Sequence, residues 1–161
     1  MKYGMLLEND YHNQKQIIMK TVITLMMMLT TLIVSAQQEQ EEAVKQTIQQ
    51  AYVDGIQNRG SIESIEAGFD PEFNLLGIGK NNELSKYPIY RWIESVKKAK
   101  AKGQAPNPAI TAKYPMVDIT GNAAVAKVEL HKGNKMLFTD YLSLYKFEDG
   151  WRIVSKIYQR H

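Results

Sequence analysis

The sequence predicts an α+β fold in which N-terminal helices pack on one face of a bent antiparallel sheet. Two stretches before residue 104 repeat apolar residues every three or four positions, which is typical of amphipathic helices. Residues 110–158 instead alternate between apolar and polar side chains, as strands with one buried face do. Short turn signals at Gly121-Asn122 and Asp149-Gly150 connect these strands as hairpins. Because helices come first and strands last, the two are expected to form separate layers.

Three helices are predicted. The first covers Glu39–Asn58, where apolar side chains recur at helical spacing. Ser61 suits the N-cap of a short second helix over Ile62–Ala67, because its hydroxyl can accept a bond from a free backbone N–H. The third begins near Pro88, and lysines fill its last turns, where the helix dipole favours cations. Its buried stripe consists of Ile89, Trp92, Ile93 and Val96.

The strands are predicted from alternation and turn residues. After a turn at Phe69-Asp70-Pro71, a short strand covers Phe73–Ile78, and Glu83–Lys86 returns as its hairpin partner. Pro115 lacks a backbone N–H, so its strand must be an edge strand or contain a bulge. The four long strands are Ile110–Thr120, Ala123–His131, Met136–Phe147 and Trp151–Tyr158.

The N-terminus resembles a secretory signal peptide. The apolar stretch Val22–Val34 is shorter than the roughly 20 residues that a membrane-spanning helix needs, and Lys20 precedes it. Val34-Ser35-Ala36 fits the small-residue cleavage rule, with cleavage between Ala36 and Gln37. Met19 opens an ordinary signal sequence, so residues 1–18 are interpreted as an upstream start-site extension. Residues 19–36 are then the signal peptide, residues 37–161 form a single exported domain, and the protein is expected to be secreted or periplasmic.

Composition excludes several classes of site. The chain has 161 residues, no cysteine and three histidines, which excludes disulfides, thiolate zinc sites and a lipoprotein anchor and argues against a histidine-rich metal centre. No metal site is assigned. A net charge of +3 without a cluster of basic and aromatic residues argues against nucleic-acid binding. Gly-rich phosphate loops and HExxH motifs are also missing from the sequence, so no cofactor is expected.

The order of predicted elements resembles the cone-shaped, cystatin-like fold of the nuclear transport factor 2-like (SnoaL-like) superfamily. Within it, the chain is similar to the bacterial putative lumazine-binding family. That resemblance implies helices around a cavity lined by the sheet, and a function that varies among isomerases, dehydratases, hydrolases and pure binding modules. The residues that carry it are YVDGIQNRG (52–60), FDPEF (69–73), Trp92-Ile93, DITGNAAVAKVEL (118–130), FTDYLSL (138–144) and DGWRIVSKI (149–157).

Asp140 is the strongest candidate for chemistry. It shares strand parity with Phe138, Leu142 and Leu144, so it is expected on an otherwise apolar face. A carboxylate buried there has a raised pKa and can serve as a general acid or base. The alternatives are a wet sheet edge or an ion pair with a basic residue on a neighbouring strand. The basic candidates are Lys127, Lys135 and Arg152.

Tyr52 and Trp92 lie on the apolar stripes of the two long helices. They are expected either to line the cavity with a phenol and an indole N–H or to pack in the core. In the isomerase branch of the superfamily, a helical tyrosine acts with two aspartates, so Tyr52 and Asp140 stand for two of the three groups. The resemblance stops there, because Phe73–Gly79 contains no acid for the general base. His131 is expected to be an exposed turn residue.

These observations lead to three functional hypotheses. The first is a non-catalytic module that binds a small apolar or aromatic ligand through Tyr52, Trp92 and Asp140, without a cofactor and without membrane association after signal cleavage. The second is a small isomerase or hydratase that uses Asp140 with Tyr52, and the third is a structural or partner-binding homodimer. A homodimer is also expected because the Met136–Phe147 strand is apolar or aromatic on both parities and the helices can cover only one face. The alternative is that the C-terminal segment or the Gln104–Pro108 loop folds over the other face. The outward residues of the strand are Leu137, Tyr141, Tyr145 and Phe147.

Overall fold

The computed structural model describes residues 15, 19, 20 and 37–161. The predicted upstream extension and signal peptide therefore lie outside the described residues, apart from these three positions. The chain divides into two compact units, residues 1–39 and 40–161, and the second contains the sheet and helices discussed below. Among the described residues, no helix combines the length and apolar character needed to cross a membrane.

Three helices form one layer. Helix α1 occupies residues 40–57 of the second unit, and its last ten residues, Ile48–Gln57, have π-helical winding. The Asn58 N–H continues this pattern by donating to the Val53 carbonyl five residues earlier, at 3.0 Å. Helix α2 covers Ile62–Gly68, and helix α3 covers Ile89–Ala101. The predicted cap of α2 is present, since the Ser64 N–H donates to Ser61 Oγ at 3.1 Å.

Six strands form one curved sheet in the order β2-β1-β6-β5-β4-β3. Every neighbouring pair is antiparallel except β1 and β6, which run parallel, so the expected antiparallel sheet is in fact mixed. The parallel pair joins strands that are far apart in sequence, and no local turn signal marks it. The strands are β1 (Phe69–Ile78), β2 (Leu84–Pro88), β3 (Ile110–Thr120), β4 (Ala123–Lys132), β5 (Lys135–Phe147) and β6 (Gly150–Arg160).

Strand β1 begins four residues earlier than predicted. Its register against β6 shifts between Phe69 and Asn74, so the intervening residues bulge out of the ladder. Asp70 Oδ1 accepts a bond from the Glu72 N–H at 2.9 Å, which is the local turn that Asp70-Pro71 indicated. The prediction that this turn precedes the strand is therefore wrong, because the turn lies inside the bulged strand β1.

The prediction for Pro115 is confirmed. It lies in β3, which is an edge strand, and the pairing of β3 with β4 shifts register between Lys113 and Met116. The edge position and the irregularity together remove the need for a ladder bond from proline.

The core lies between the helices and the inner face of the sheet. Ala126, Val128 and Leu130 of β4 are fully buried there. Helix α2 packs tightly on α1, because a Cβ built on Gly55 would lie only 2.5 Å from Cγ1 of Ile65. This layered packing leaves a space between the C-terminal end of α1, helix α3 and strands β1, β5 and β6.

Candidate functional site

A cavity of about 290 Å³ occupies this space. Its wall combines aromatic rings with polar and cationic groups, and no carboxylate of the described residues contributes to it. The lining residues are Tyr52, Gln57, Leu75, Trp92, Phe138, Lys156, Tyr158 and Arg160. At ~30 Å³ per water molecule, the volume corresponds to about ten waters, which suits a small ligand.

Three hydrogen-bonded polar groups, here called the floor, lie at the base of the cavity. Tyr52 and Lys156 line it, and Asp140 lies behind them. The Tyr52 hydroxyl donates to Asp140 Oδ2 at 2.7 Å. Lys156 Nζ donates to the Tyr52 hydroxyl oxygen and to Asp140 Oδ1, both at 2.6 Å. Asp140 is 0% exposed and Lys156 is 4% exposed. The Tyr52 phenol therefore bonds to both members of the buried Asp140–Lys156 ion pair, so each of the three groups forms a hydrogen bond with the other two.

Most hydrogen-bond donors and acceptors of the floor are already used within it. The single Tyr52 hydroxyl proton is committed to Asp140, and both Asp140 oxygens accept a bond. Lys156 has three N–H donors, of which two are used within the part of the chain described. Of the hydrogen-bond donors on Tyr52 and Lys156, the third Lys156 N–H is therefore the one that remains available to a ligand.

Burial shapes the titration of these groups. Desolvation lowers the pKa of Lys156, and the neighbouring Asp140 carboxylate acts in the opposite direction through its charge and hydrogen bond. Desolvation also raises the pKa of Tyr52 well above its usual range, and the charge and hydrogen bond of Asp140 raise it further. The Tyr52 phenol therefore stays protonated wherever the protein is folded at ordinary pH.

Aromatic rings surround the lysine ammonium. Lys156 Nζ lies 4.7 Å from the ring centroid of Tyr52, 5.1 Å from that of Tyr158 and 5.7 Å from that of Trp92. The Trp92 ring meets Tyr52 edge to face, with centroids 5.9 Å apart, and stacks on Phe73 at 6.3 Å. These ring faces stabilise the cation in a place that little water reaches.

The structure brings the three sequence-predicted site residues together. Tyr52 and Trp92 both line the cavity, and they contact each other. Asp140 is buried on the inner face as expected, but it lies behind Tyr52 and Lys156 and does not contribute to the wall. Strand β1 adds the acids Asp70 and Glu72 to the short strand predicted, and neither lines the cavity.

The alternative partners proposed for Asp140 are wrong. Lys127 is paired with Tyr141 on the outer face, Lys135 begins β5, and Arg152 bonds to Asp149. The actual partner is Lys156. Sequence reasoning missed it because the alternation of β6 breaks.

A bulge in β6 explains the omission. Leu144 pairs with Ile153, but the preceding Ser143 pairs with Ser155, so Val154 is an extra residue. Strict alternation from Ile153 would place Ser155 inward, whereas the bulge turns Lys156 inward instead. The only signal in the sequence was that two polar residues, Ser155 and Lys156, interrupt the alternation between Val154 and Ile157.

His131 differs from the exposed turn residue expected. It lies within β4, and its side chain is only 13% exposed. Its Nε2 lies 3.7 Å from the Glu129 carboxylate and forms no hydrogen bond with any described residue. Because it is not part of the cavity wall, His131 has no evident role there.

A larger groove of about 400 Å³ lies elsewhere, next to α2 and the start of β6. Its carboxylates are already engaged, since Glu63 accepts a bond from Ser61 and Asp149 pairs with Arg152. Within residues 37–161 no group of three or more His, Asp and Glu side chains is placed to hold a metal ion. The smaller cavity is the better candidate because buried charges form its floor.

Comparison with known proteins identifies the fold family. A family model described as "Putative lumazine-binding" matches residues 39–159. Three solved structures of NTF2-like proteins are similar to this chain. One from Shewanella baltica OS155, of unknown function, is 26% identical, with 74% of this chain and 92% of that chain covered and a TM-score of 0.60.

The second, from Silicibacter pomeroyi DSS-3 and also of unknown function, is 22% identical, covering 80% and 98% of the two chains at a TM-score of 0.60. The third, from Cytophaga hutchinsonii ATCC 33406, is 15% identical, covering 76% and 98% at a TM-score of 0.53. No curated protein matches. The family match spans most of the sequence, so this chain belongs to the putative lumazine-binding family of the nuclear transport factor 2-like superfamily.

Proposed function

We propose that this protein is an exported, non-catalytic module that binds one small molecule in the 290 Å³ cavity. The observation that carries the proposal is the preformed floor of Tyr52, Asp140 and Lys156 beneath an aromatic wall. A buried polar cluster whose members hydrogen-bond to one another holds its geometry before any ligand arrives, which lowers the entropic cost of binding.

The inventory of protons favours binding over catalysis. A general base must reach the proton that it removes, directly or through one water. Asp140 does not reach the cavity wall, and both of its oxygens already accept hydrogen bonds. Lys156, the other candidate base, is held as the ion-pair partner of Asp140.

The Tyr52–Asp140 hydrogen bond favours one second candidate, an isomerase or hydratase. In this mechanism Tyr52 turns its proton toward the substrate oxygen on which negative charge develops, and the free Lys156 N–H stabilises the same oxygen. Asp140, released from the Tyr52 proton, accepts through one bridging water the proton that the substrate loses. Assaying enones and epoxides for turnover tests it. Turnover that is lost in Asp140→Asn, with the fold intact by circular dichroism, would establish the enzyme and overturn the binding module.

Cavity filling tests the binding module. A fragment library is screened against the purified chain by saturation-transfer NMR, and the hits are repeated with Leu75→Trp and Leu76→Trp. Leu75 lines the cavity and Leu76 does not. Leu76→Trp therefore controls for the same increase in side-chain size at a neighbouring position of the same strand. We expect hits to be lost in Leu75→Trp and kept in Leu76→Trp. Hits that survive both substitutions, or a library without hits, contradict binding in this cavity.

Export is proposed from the sequence signal described above, since those residues lie outside the described part of the chain. Mass spectrometry of the protein from its native host is the direct measurement. A chain that begins near Gln37 supports cleavage after Ala36. A full-length chain that begins at Met1 and is found only in the cytosol contradicts both export and the start at Met19.

Pairing of two copies through the outer sheet face is also proposed. Tyr141, Tyr145 and Ile157 on adjacent strands are 40%, 53% and 51% exposed, and Val125 and Phe147 extend the patch. Leu137, expected in the same row, is only partly exposed because it packs against the core. A stable twofold interface buries about 800 Å² on each partner, and exposed apolar patches usually mark such contacts.

A further inference from the structure

We infer that the ligand of the cavity is a small aromatic carboxylate, an inference that rests on the proposed function and specifies its ligand class. The inference starts from charge. Among residues 37–161, two cations, Lys156 and Arg160, contribute to the wall, and no carboxylate does. Asp140 neutralises the first, which leaves the second as uncompensated positive charge.

Arg160 is poised for an anion. It lies near the end of β6, opposite Phe138 of β5, and its side chain is exposed. Its backbone carbonyl accepts a bond from Gln159, but its guanidinium forms no hydrogen bond or ion pair with any residue of the described chain. A guanidinium offers a planar fork of donors that matches the two oxygens of a carboxylate.

The hydrogen-bonding groups of the wall point to the same class. Lys156 has one unused N–H, and Arg160 has five N–H donors and no acceptor. Tyr52 has no free proton, because its hydroxyl donates to Asp140. Trp92 adds an indole N–H that can only donate, and Gln57 and Tyr158 can each both donate and accept. Donors therefore outnumber acceptors, and the wall favours a ligand that accepts hydrogen bonds. An anionic oxygen pair is the strongest acceptor of this kind.

The apolar part of the wall favours a ligand with an aromatic ring. Trp92 approaches Tyr52 from one side of the cavity, and Phe138 meets Tyr158 edge to face at 5.9 Å from the other. Aromatic rings prefer such offset and edge-on partners. The volume of about 290 Å³ limits the ligand to about one or two fused rings.

A pair of probes of the same shape, one with a carboxylate and one with a neutral amide, tests the inference. We compare 2-naphthoate with 2-naphthamide by isothermal titration calorimetry on the wild-type chain, Arg160→Gln and Arg152→Gln. Arg152 is the matched control, because it lies on the same strand, pairs with Asp149 and does not line the cavity. The melting temperature of each variant confirms that it is folded.

We expect naphthoate to bind at least about tenfold more tightly than naphthamide, which is about 1.4 kcal/mol. Arg160→Gln should abolish this preference, and Arg152→Gln should keep it. Equal binding of the two probes, or a preference that survives Arg160→Gln, overturns the carboxylate inference and leaves the binding module intact. If neither probe binds, the inference is also overturned. The fragment screen with Leu75→Trp then decides separately whether the proposed function fails as well.

Discussion

Replacing Asp140 by leucine should cost more stability than replacing Asp140 and Lys156 together. The single substitution leaves an ammonium that is 5% exposed without a counter-ion, and it removes the acceptor of the Tyr52 hydroxyl. Breaking a buried ion pair in this way costs about 3–5 kcal/mol, and an unsatisfied hydroxyl costs about 1–3 kcal/mol. The total is a large part of the roughly 5–15 kcal/mol that stabilises a typical domain.

The double variant Asp140→Leu/Lys156→Met removes both charges. The Tyr52 hydroxyl then loses its acceptor, Asp140, and its donor, Lys156, so the loss should fall to about 1–3 kcal/mol. Adding Lys156→Met to Asp140→Leu is therefore expected to recover at least about 2 kcal/mol. A third substitution, Tyr52→Phe, removes the last orphaned group and should bring stability close to that of the wild type.

Urea denaturation followed by circular dichroism at pH 7 measures each free energy of unfolding. Asp149→Leu is the control, because Asp149 pairs with Arg152 at the surface, where an ion pair contributes less than about 1 kcal/mol. The reasoning is refuted if Asp140→Leu costs less than about 1 kcal/mol. It is equally refuted if the double variant is less stable than the single one.

Two further predictions concern alkaline pH and assembly. Burial raises the pKa of Tyr52 and of Tyr114, so above pH ~10 the unfolded chain loses protons that the folded chain keeps, and stability should fall by up to about 1.4 kcal/mol per pH unit for each tyrosine. The lowered pKa of Lys156 acts in the opposite direction, because it raises stability as the pH rises from the folded pKa of Lys156 to ~10.5. Urea denaturation from pH 9 to 12 should therefore show the loss of stability mainly above ~10.5. The loss should be shallower in Tyr52→Phe. If two copies pair through the outer sheet face, Tyr145→Lys should convert the dimer to a monomer. A mass of one subunit for the wild-type chain, measured by light scattering at micromolar concentration, would contradict the pairing.

The regular parts of the fold were predictable because local physics determines them. The bounds of β3 agree with the sequence prediction, since alternation and the Gly121-Asn122 turn act within a few residues. The parallel pairing of β1 with β6 was not predictable in this way, because it joins residues such as Phe69 and Ile153 that no short-range pattern links. Local turn chemistry at Asp70 was read correctly but given the wrong consequence, since a bulge accommodates it inside a strand.

The same division holds within the site. Asp140 was predictable because it lies on a regular stretch of period two. Tyr52 was predictable because the apolar stripe of α1 faces the core, even though Ile48–Gln57 has π-helical winding. Lys156 was not, because its inward direction depends on the single extra residue Val154. A bulge has no obligatory residue type at this position, so the sequence carries no rule that reveals it.

That one residue determines the charge balance of the core. In a regular β6, Ser155 would face inward and Lys156 would lie on the outer face, so Asp140 would be buried with the Tyr52 phenol and without a cation. Such an unpaired carboxylate is strongly destabilising. The bulge supplies the missing ammonium and at the same time brings its third N–H to the cavity wall. Stability of the buried pair and the capacity to receive an anion therefore depend on the same irregularity, so this bulge is where the fold creates its candidate site.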